Sequence, residues 1–277
     1  MTLVALAQLG RGVVPVDEPV LYADDEGVLR GRAVFETLRV YGGVPFKLDQ
    51  HLDRLAASAE RLRLPLPPHD EFAAAAKDVI AASAQPDATL RFLWTAGREN
   101  GGSPAGFALV STLPPDLDAL RARGLRLVVV RWSPTALAGA KSTSYAANMA
   151  AQDEAVRAGA DDALLVAADD TVLEAPTSNV WFREGNRLLT PALTLPILAG
   201  VTRATLVELA PGLGYEVEEG VFPLTRLLAS EEIFVSSSVR EVMPVIAVDG
   251  AETPRGPAAL ALQAALRAAA GYPDGNE

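Results

Sequence analysis

Two short β-prone runs meet at Gly42-Gly43 in AVFETLRVYGGVPFKL, a hairpin signal, and the chain passes at once into DQHLDRLAASAERLRL. There Leu52, Leu55, Ala59 and Leu62 recur at helical spacing until Pro65 stops the run. A hairpin feeding an amphipathic helix gives the first stretch an α+β character. A second helix is expected over DEFAAAAKDVIAASA, ending before Pro86, and strands over TLRFLWTAG and GFALVSTL. Composition then changes at PPDLDALRARG, which reads as a linker: a smaller N-terminal domain over 1–113, a linker over 114–120 and a larger domain over 121–277.

The second half mixes strands with helices. LRLVVVRW reads as a buried strand, and SYAANMAAQDEAVRAG as a helix with Tyr145, Met149 and Val156 near one face and Gly159 as its stop. DALLVAADDTVLEA and NVWFREGNRLLTP alternate around polar turns, as hairpins do. VTRATLVELAPG reads as a helix opening after Gly200, and EEIFVSSSVREVMPVIAVDG as strand, polar loop, strand.

A chain of 277 residues with a formal charge of −11 can bury a sizeable core, but its surface opposes nucleic acid and anionic membrane as partners. The absence of cysteine excludes disulfides, thiolate nucleophiles and cysteine–zinc sites, and two histidines, His51 and His69, are too few for an obvious metal cluster. The first residues lack a basic n-region and reach Asp17 and Glu18 early, and PALTLPILAGVT is too short to span a bilayer. A cytoplasmic enzyme of small-molecule chemistry, with no metal, is the expectation.

Several stretches can carry such chemistry. Lys141, one of three lysines, follows ALAGA between an expected strand and helix; a poorly solvated amine there can attack a carbonyl, whereas a solvent-facing loop lysine would look the same. Glu174 ends an apolar strand, where it either faces a cleft and pairs with a cationic heteroatom or stays an exposed edge charge. Gly200, Val201 and Thr202 open a helix whose N–H groups suit an anion, or form a simple Thr cap. Ser236 to Ser238 suit phosphate or a solvated turn, and Arg54 either snorkels outward or reaches for an anion. No phosphate-binding GxxxxGK[ST] loop occurs, and KSTS is no serine-acylating SxxK because position 138 is alanine.

The ordered set HLDRLAASAERL, AKSTSYAANMAAQDEAVRAGADDALLV, VLEAPTSNVWF, LLTPALTLPILAGVTRATLVELA and FVSSSVREVMPV resembles the fold-type IV pyridoxal-phosphate enzymes, the class IV aminotransferases. That group holds D-amino-acid aminotransferase, branched-chain aminotransferase and aminodeoxychorismate lyase. The resemblance implies a two-domain D-amino-acid aminotransferase-like fold, α+β followed by α/β, with pyridoxal 5′-phosphate as cofactor. It further implies a homodimer whose active sites lie at a domain cleft completed by the neighbouring subunit.

Carried over by position, Lys141 matches the lysine that binds the cofactor as a Schiff base and moves the Cα proton. Glu174 matches the carboxylate paired with the pyridine nitrogen. Arg54, the Val201 and Thr202 amides, Ser237 and Ser238 match the phosphate cup, and Tyr145 the group near the phenolic oxygen. Thr177 and Ser178 fall where the family lines the substrate pocket, and Phe35 is placed on the same side.

D-amino-acid aminotransferase is the member the segments most resemble, with an amino acid and a 2-oxo acid such as 2-oxoglutarate or pyruvate as substrates. Two departures stand out. The residues before FET are LRGRAV in place of the frequent Gly-Asp-Gly, and the usual Arg-x-His is missing from LWTAGRENGGSPAGF. Arg30, Arg32 and Arg98 are therefore the candidates for holding the substrate carboxylate, the alternative being three surface arginines. Aminodeoxychorismate lyase is the second reading and would need no keto-acid cosubstrate; branched-chain aminotransferase is the third. A catalytically silent dimeric binding protein would need Lys141 to be an ordinary loop lysine.

Overall fold

A computed structural model of the protein describes residues 1–272. The chain divides into two compact units: Met1–Pro115 with Ala140–Tyr145, and Asp116–Gly139 with the chain from Ala146 onward.

The first unit holds β1 (Leu3–Gln8), β2 (Gly12–Val14), α1 (Glu26–Arg30), β3 (Ala33–Tyr41), β4 (Val44–Pro45), α2 (Leu48–Leu62), α3 (His69–Ser83), β5 (Ala88–Thr95) and β6 (Ala105–Ser111). Its strands form one antiparallel sheet in the order β2-β1-β6-β5-β3-β4. The β3–β4 hairpin turns through Gly42 and Gly43, both at positive φ, which is what a two-residue turn between twisted strands demands. Strand alternation sends Val34, Leu38, Leu90 and Phe92 to the face where Leu52, Leu55 and Ala59 of α2 and Phe72, Ala76 and Val79 of α3 pack. Each large apolar side chain so buried contributes about 1.5–3 kcal/mol.

The segment around Lys141 belongs to this first unit. It runs along β3: the Phe35 N–H donates to the Lys141 carbonyl at 3.0 Å, and the Thr143 N–H to the Ala33 carbonyl at 2.9 Å. By position the lysine is expected in the C-terminal domain, but its segment pairs with β3, and pairing across more than a hundred residues leaves no local trace. Gly31, at φ +66°, makes room for the crossing, since a Cβ there would lie 2.8 Å from Ser144 Oγ and 3.2 Å from the Ser144 nitrogen.

The second unit opens on α4 (Leu117–Arg123), a helix within the stretch read as linker, followed by β7 (Leu125–Arg131), α5 (Ala146–Arg157), β8 (Asp162–Val166), β9 (Asn179–Glu184), β10 (Arg187–Pro191), α6 (Val201–Leu209), β11 (Glu216–Gly220), α7 (Leu224–Leu228), β12 (Glu232–Ser237), β13 (Glu241–Val248), β14 (Ala251–Glu252) and α8 (Ala258–Ala269). Its mixed sheet runs β11-β10-β9-β12-β13-β7-β8, with β14 paired to β13. Helix α5 buries Ala151 and Ala155 against Ala163 and Leu165, while Met149 and Val156 are exposed. The packed face is the one of small residues, which let the helix approach its strand closely. Of the larger side chains singled out in the sequence, Met149 and Val156 lie elsewhere on the helix, and Tyr145 precedes it and packs on Phe35.

Candidate active site

On the first unit, the chemistry gathers around β3. Lys141 is half-buried, its own N–H donates to Ser58 Oγ of α2 at 3.0 Å, and its Nζ lies 4.6 Å from the centre of the Phe35 ring. Tyr145 meets that ring edge-on at 5.6 Å. The guanidinium of Arg91, on β5 opposite Thr37, reaches the same ring at 5.8 Å and makes a long 3.3 Å hydrogen bond to Thr37 Oγ1. Arg91 has no carboxylate partner among the described residues. Burial pulls its guanidinium below the ordinary value, opposed by Tyr145.

The opposite face of β3 carries Glu36, fully buried. Arg54 donates to it twice, Nε to Oε1 at 2.8 Å and Nη2 to Oε2 at 2.7 Å, and His51 Nδ1 lies 2.7 Å from Oε2. His51, Arg54 and Ser58 stand on α2 at positions i, i+3 and i+7, one face of the helix. Burial alone would push the Glu36 carboxyl up, but the charge and hydrogen bonds of Arg54, with His51, hold it at about 2. His51 is pushed below its ordinary value, first by burial and then by the Arg54 and Lys141 charges, against the pull of Glu36. A neutral ring donating from Nδ1 satisfies this arrangement.

The three arginines expected to hold a substrate each have an acidic partner. Arg30 pairs with Glu99, Arg32 with Glu26 at 2.7 Å and Arg98 with Asp24 at 2.8 Å. Arg98 also lies 4.4 Å over the Tyr22 ring, and Arg30, Arg32 and Arg98 are exposed, as is Arg91.

On the second unit, Glu174 precedes a tight turn in which Ala175 and Ser178 exchange backbone hydrogen bonds. The carboxylate accepts the Leu198 N–H at 3.2 and 3.1 Å and Asn179 Nδ2 at 3.1 Å. Thr177 is exposed at the tip of the turn, while Ser178 is buried with its Oγ unpartnered. Helix α6 follows its N-cap Gly200, which has no side chain to cap the first-turn amides of Val201 and Thr202. Ser236 Oγ is taken by Trp181 Nε1 at 3.0 Å. Ser237 and Ser238 remain partly exposed where β12 ends and the turn to β13 begins.

Arg91, Glu36, His51 and Asn179 escaped the sequence reading. A signal existed for two of them: an arginine at an outward position of an otherwise apolar strand, and a histidine three residues before Arg54 on a helix. Nothing local announces that Glu36 is their counter-ion.

Residues 33–248 match the profile of amino-transferase class IV, and the chain belongs to that family. A bifunctional aminodeoxychorismate lyase / D-amino acid transaminase of Mycobacterium tuberculosis is 33% identical over 260 residues, spanning 87% of this chain and 90% of that protein. The solved structure of a hypothetical aminotransferase from the same organism, in an alpha-ketoglutarate and PMP bound form, is similar with a TM-score of 0.91 at 32% identity, covering 96% of this chain and 98% of that one. A fold IV transaminase from Curtobacterium pusillum gives 0.88 at 33% identity over 95% and 97% of the two chains. The fold is thus that of the fold-type IV aminotransferases.

Proposed function

We propose that the chain is a pyridoxal-phosphate-dependent transaminase moving an amino group between an amino acid, of D configuration in its principal reaction, and a 2-oxo acid such as 2-oxoglutarate or pyruvate. The observation that carries this reading is the pairing of an amine with a guanidinium on one aromatic ring, Lys141 Nζ at 4.6 Å and Arg91 at 5.8 Å. An amine able to attack a carbonyl, beside a cation able to grip a carboxylate, is what an amino-acid reaction requires. Arg91 is preferred to Arg30, Arg32 and Arg98 for the carboxylate because those three are already neutralised by Glu99, Glu26 and Asp24.

The residues present fit pyridoxal phosphate. Glu174 supplies a carboxylate for a protonated ring nitrogen, and the uncapped start of α6 supplies the Val201 and Thr202 amides for a phosphate. Arg54, Ser237 and Ser238 complete the phosphate's donors, and Tyr145 is assigned to the phenolic oxygen. The unpartnered Ser178 Oγ, with Thr177 beside it in sequence and Phe35, is assigned to the substrate.

When bound, the cofactor supplies a sink for the electron pair left as Cα loses its proton. The chain does the rest. Lys141 Nζ takes that proton and returns it, and its backbone is fixed meanwhile by Ser58 and Phe35, so the amine swings from a stationary point. Glu36 holds Arg54 through Nε and Nη2 and meets its charge within the fold. A homodimer and a cytoplasmic location complete the reading; no helix among the described residues is long and apolar enough to cross a membrane.

The bifunctional relative supports a second activity for the same residues, elimination of pyruvate from aminodeoxychorismate to leave 4-aminobenzoate. Turnover without any 2-oxo acid acceptor separates it from transamination. For the reading itself, borohydride reduction of the cofactor-loaded protein followed by peptide mass mapping is the test. A pyridoxyl label on the Lys141 peptide is expected; a label on Lys47 or Lys77, or none, sinks it.

A further inference from the structure

Asn179 begins β9 and is buried. Its Nδ2 donates to Glu174 Oε2 at 3.1 Å and to the Leu198 carbonyl at 2.9 Å. Both partners accept only, so the amide nitrogen faces them and Oδ1 lies on the other side. There it abuts Gly200: a Cβ at that position would stand 2.0 Å from Asn179 Oδ1 and 3.2 Å from its Cγ. Gly200 sits at φ −67°, ψ 130°, a conformation open to any residue, so its lack of a side chain answers to space and not to backbone geometry. One amide thus ties together the Glu174 carboxylate, the loop at Leu198 and the residue that opens α6. Leu198 closes the circuit by donating its own N–H back to Glu174.

We propose that Asn179 is a positioning residue: it aims Glu174 at the ring nitrogen of the cofactor, and Gly200 is glycine because the Asn179 amide occupies the space a side chain would need. The first clause rests on the proposed function; the second stands without it. Asn179 touches neither substrate nor the reacting atoms and acts through Glu174.

Two measurements test it. In the first, apoprotein is titrated with pyridoxal phosphate and with its deaza analogue, whose ring carries CH in place of nitrogen. Asn179→Leu keeps the branched shape and loses the donor without adding a charge beside Glu174, and should bind pyridoxal phosphate about tenfold more weakly than wild type, the loss of one hydrogen bond to a charged group. Its affinity for the deaza analogue should be unchanged. Wild-type affinity of the variant for pyridoxal phosphate, or equal weakening toward both ligands, overturns the positioning role; a wild type that binds neither ligand overturns the proposed function with it.

In the second, melting temperatures are compared for Gly200→Ala, Asn179→Ala and the double variant, with no cofactor present. Gly200→Ala should lower the melting temperature markedly in the wild-type background and much less in the Asn179→Ala background, where the obstructing oxygen is gone. Equal losses in both backgrounds overturn the packing clause.

Discussion

Glu36 on β3 and Arg91 on β5 lie on opposite faces of one sheet. Glu36, inside, is an ion held at about 2, and His51 beside it is held below its ordinary value. Both folded values lie below the free ones, so both groups stabilise the fold above their free titration range and withdraw that stability as pH falls. His51 begins to act below about 6.5 and Glu36 below about 4.3. The Glu36 contribution is about 3 kcal/mol at neutral pH and is gone near pH 2. Urea midpoints measured from pH 7 down to 3 should fall in that order, and His51→Gln should flatten the first part of the decline; a midpoint constant from 7 to 3 contradicts the assignment. Glu36→Gln removes the carboxylate that Arg54 Nε and Nη2 bind in this buried place and should cost about 3–5 kcal/mol at pH 7. On the other face, Arg91→Ala should raise the amino-acid KM by about 10- to 100-fold with a smaller effect on kcat, as removal of a charged carboxylate contact requires. Unaltered kinetics would return the role to Arg30, Arg32 or Arg98.

At the scale of elements, the reading of the sequence depended on how far apart the partners lie. The β3–β4 hairpin, α2, the strand from Asn179 and the start of α6 at Gly200 were all legible, because turn residues and apolar spacing act within a few positions. Lys141, Glu174 and Arg54 are singled out by resemblance, and their roles are part of the proposal. The seating of the Lys141 segment along β3 was not, because it is made by backbone hydrogen bonds between Ala33, Phe35 and residues more than a hundred positions away. Arg91 carries no local signal of its partners because the ring it shares with Lys141 belongs to Phe35, and neither residue is a sequence neighbour. Gly31 is where that distant pairing leaves a mark. Gly31→Ala must adopt φ +66° and press on Ser144, and should cost about 1–2 kcal/mol while loosening the segment that carries Lys141. Calorimetry and cofactor content of the purified variant check this together; an unchanged melting temperature with full cofactor content would show that the segment is not seated through Gly31.

At the scale of the whole molecule, the proposed roles are divided between the two compact units. The amine, the guanidiniums and the aromatic ring belong to the first, and the carboxylate, the uncapped helix and the serines to the second. The account requires all of these residues to serve one reaction on one amino acid. The most direct measurement is a half-reaction: protein loaded with pyridoxal phosphate is mixed with single D-amino acids, then separately with their L forms, and the visible absorbance of the cofactor is followed. Absorbance should fall with at least one D-amino acid, one 2-oxo acid should appear for each cofactor bleached, and 2-oxoglutarate or pyruvate should restore the original spectrum. A spectrum that no amino acid of either configuration alters would contradict the account.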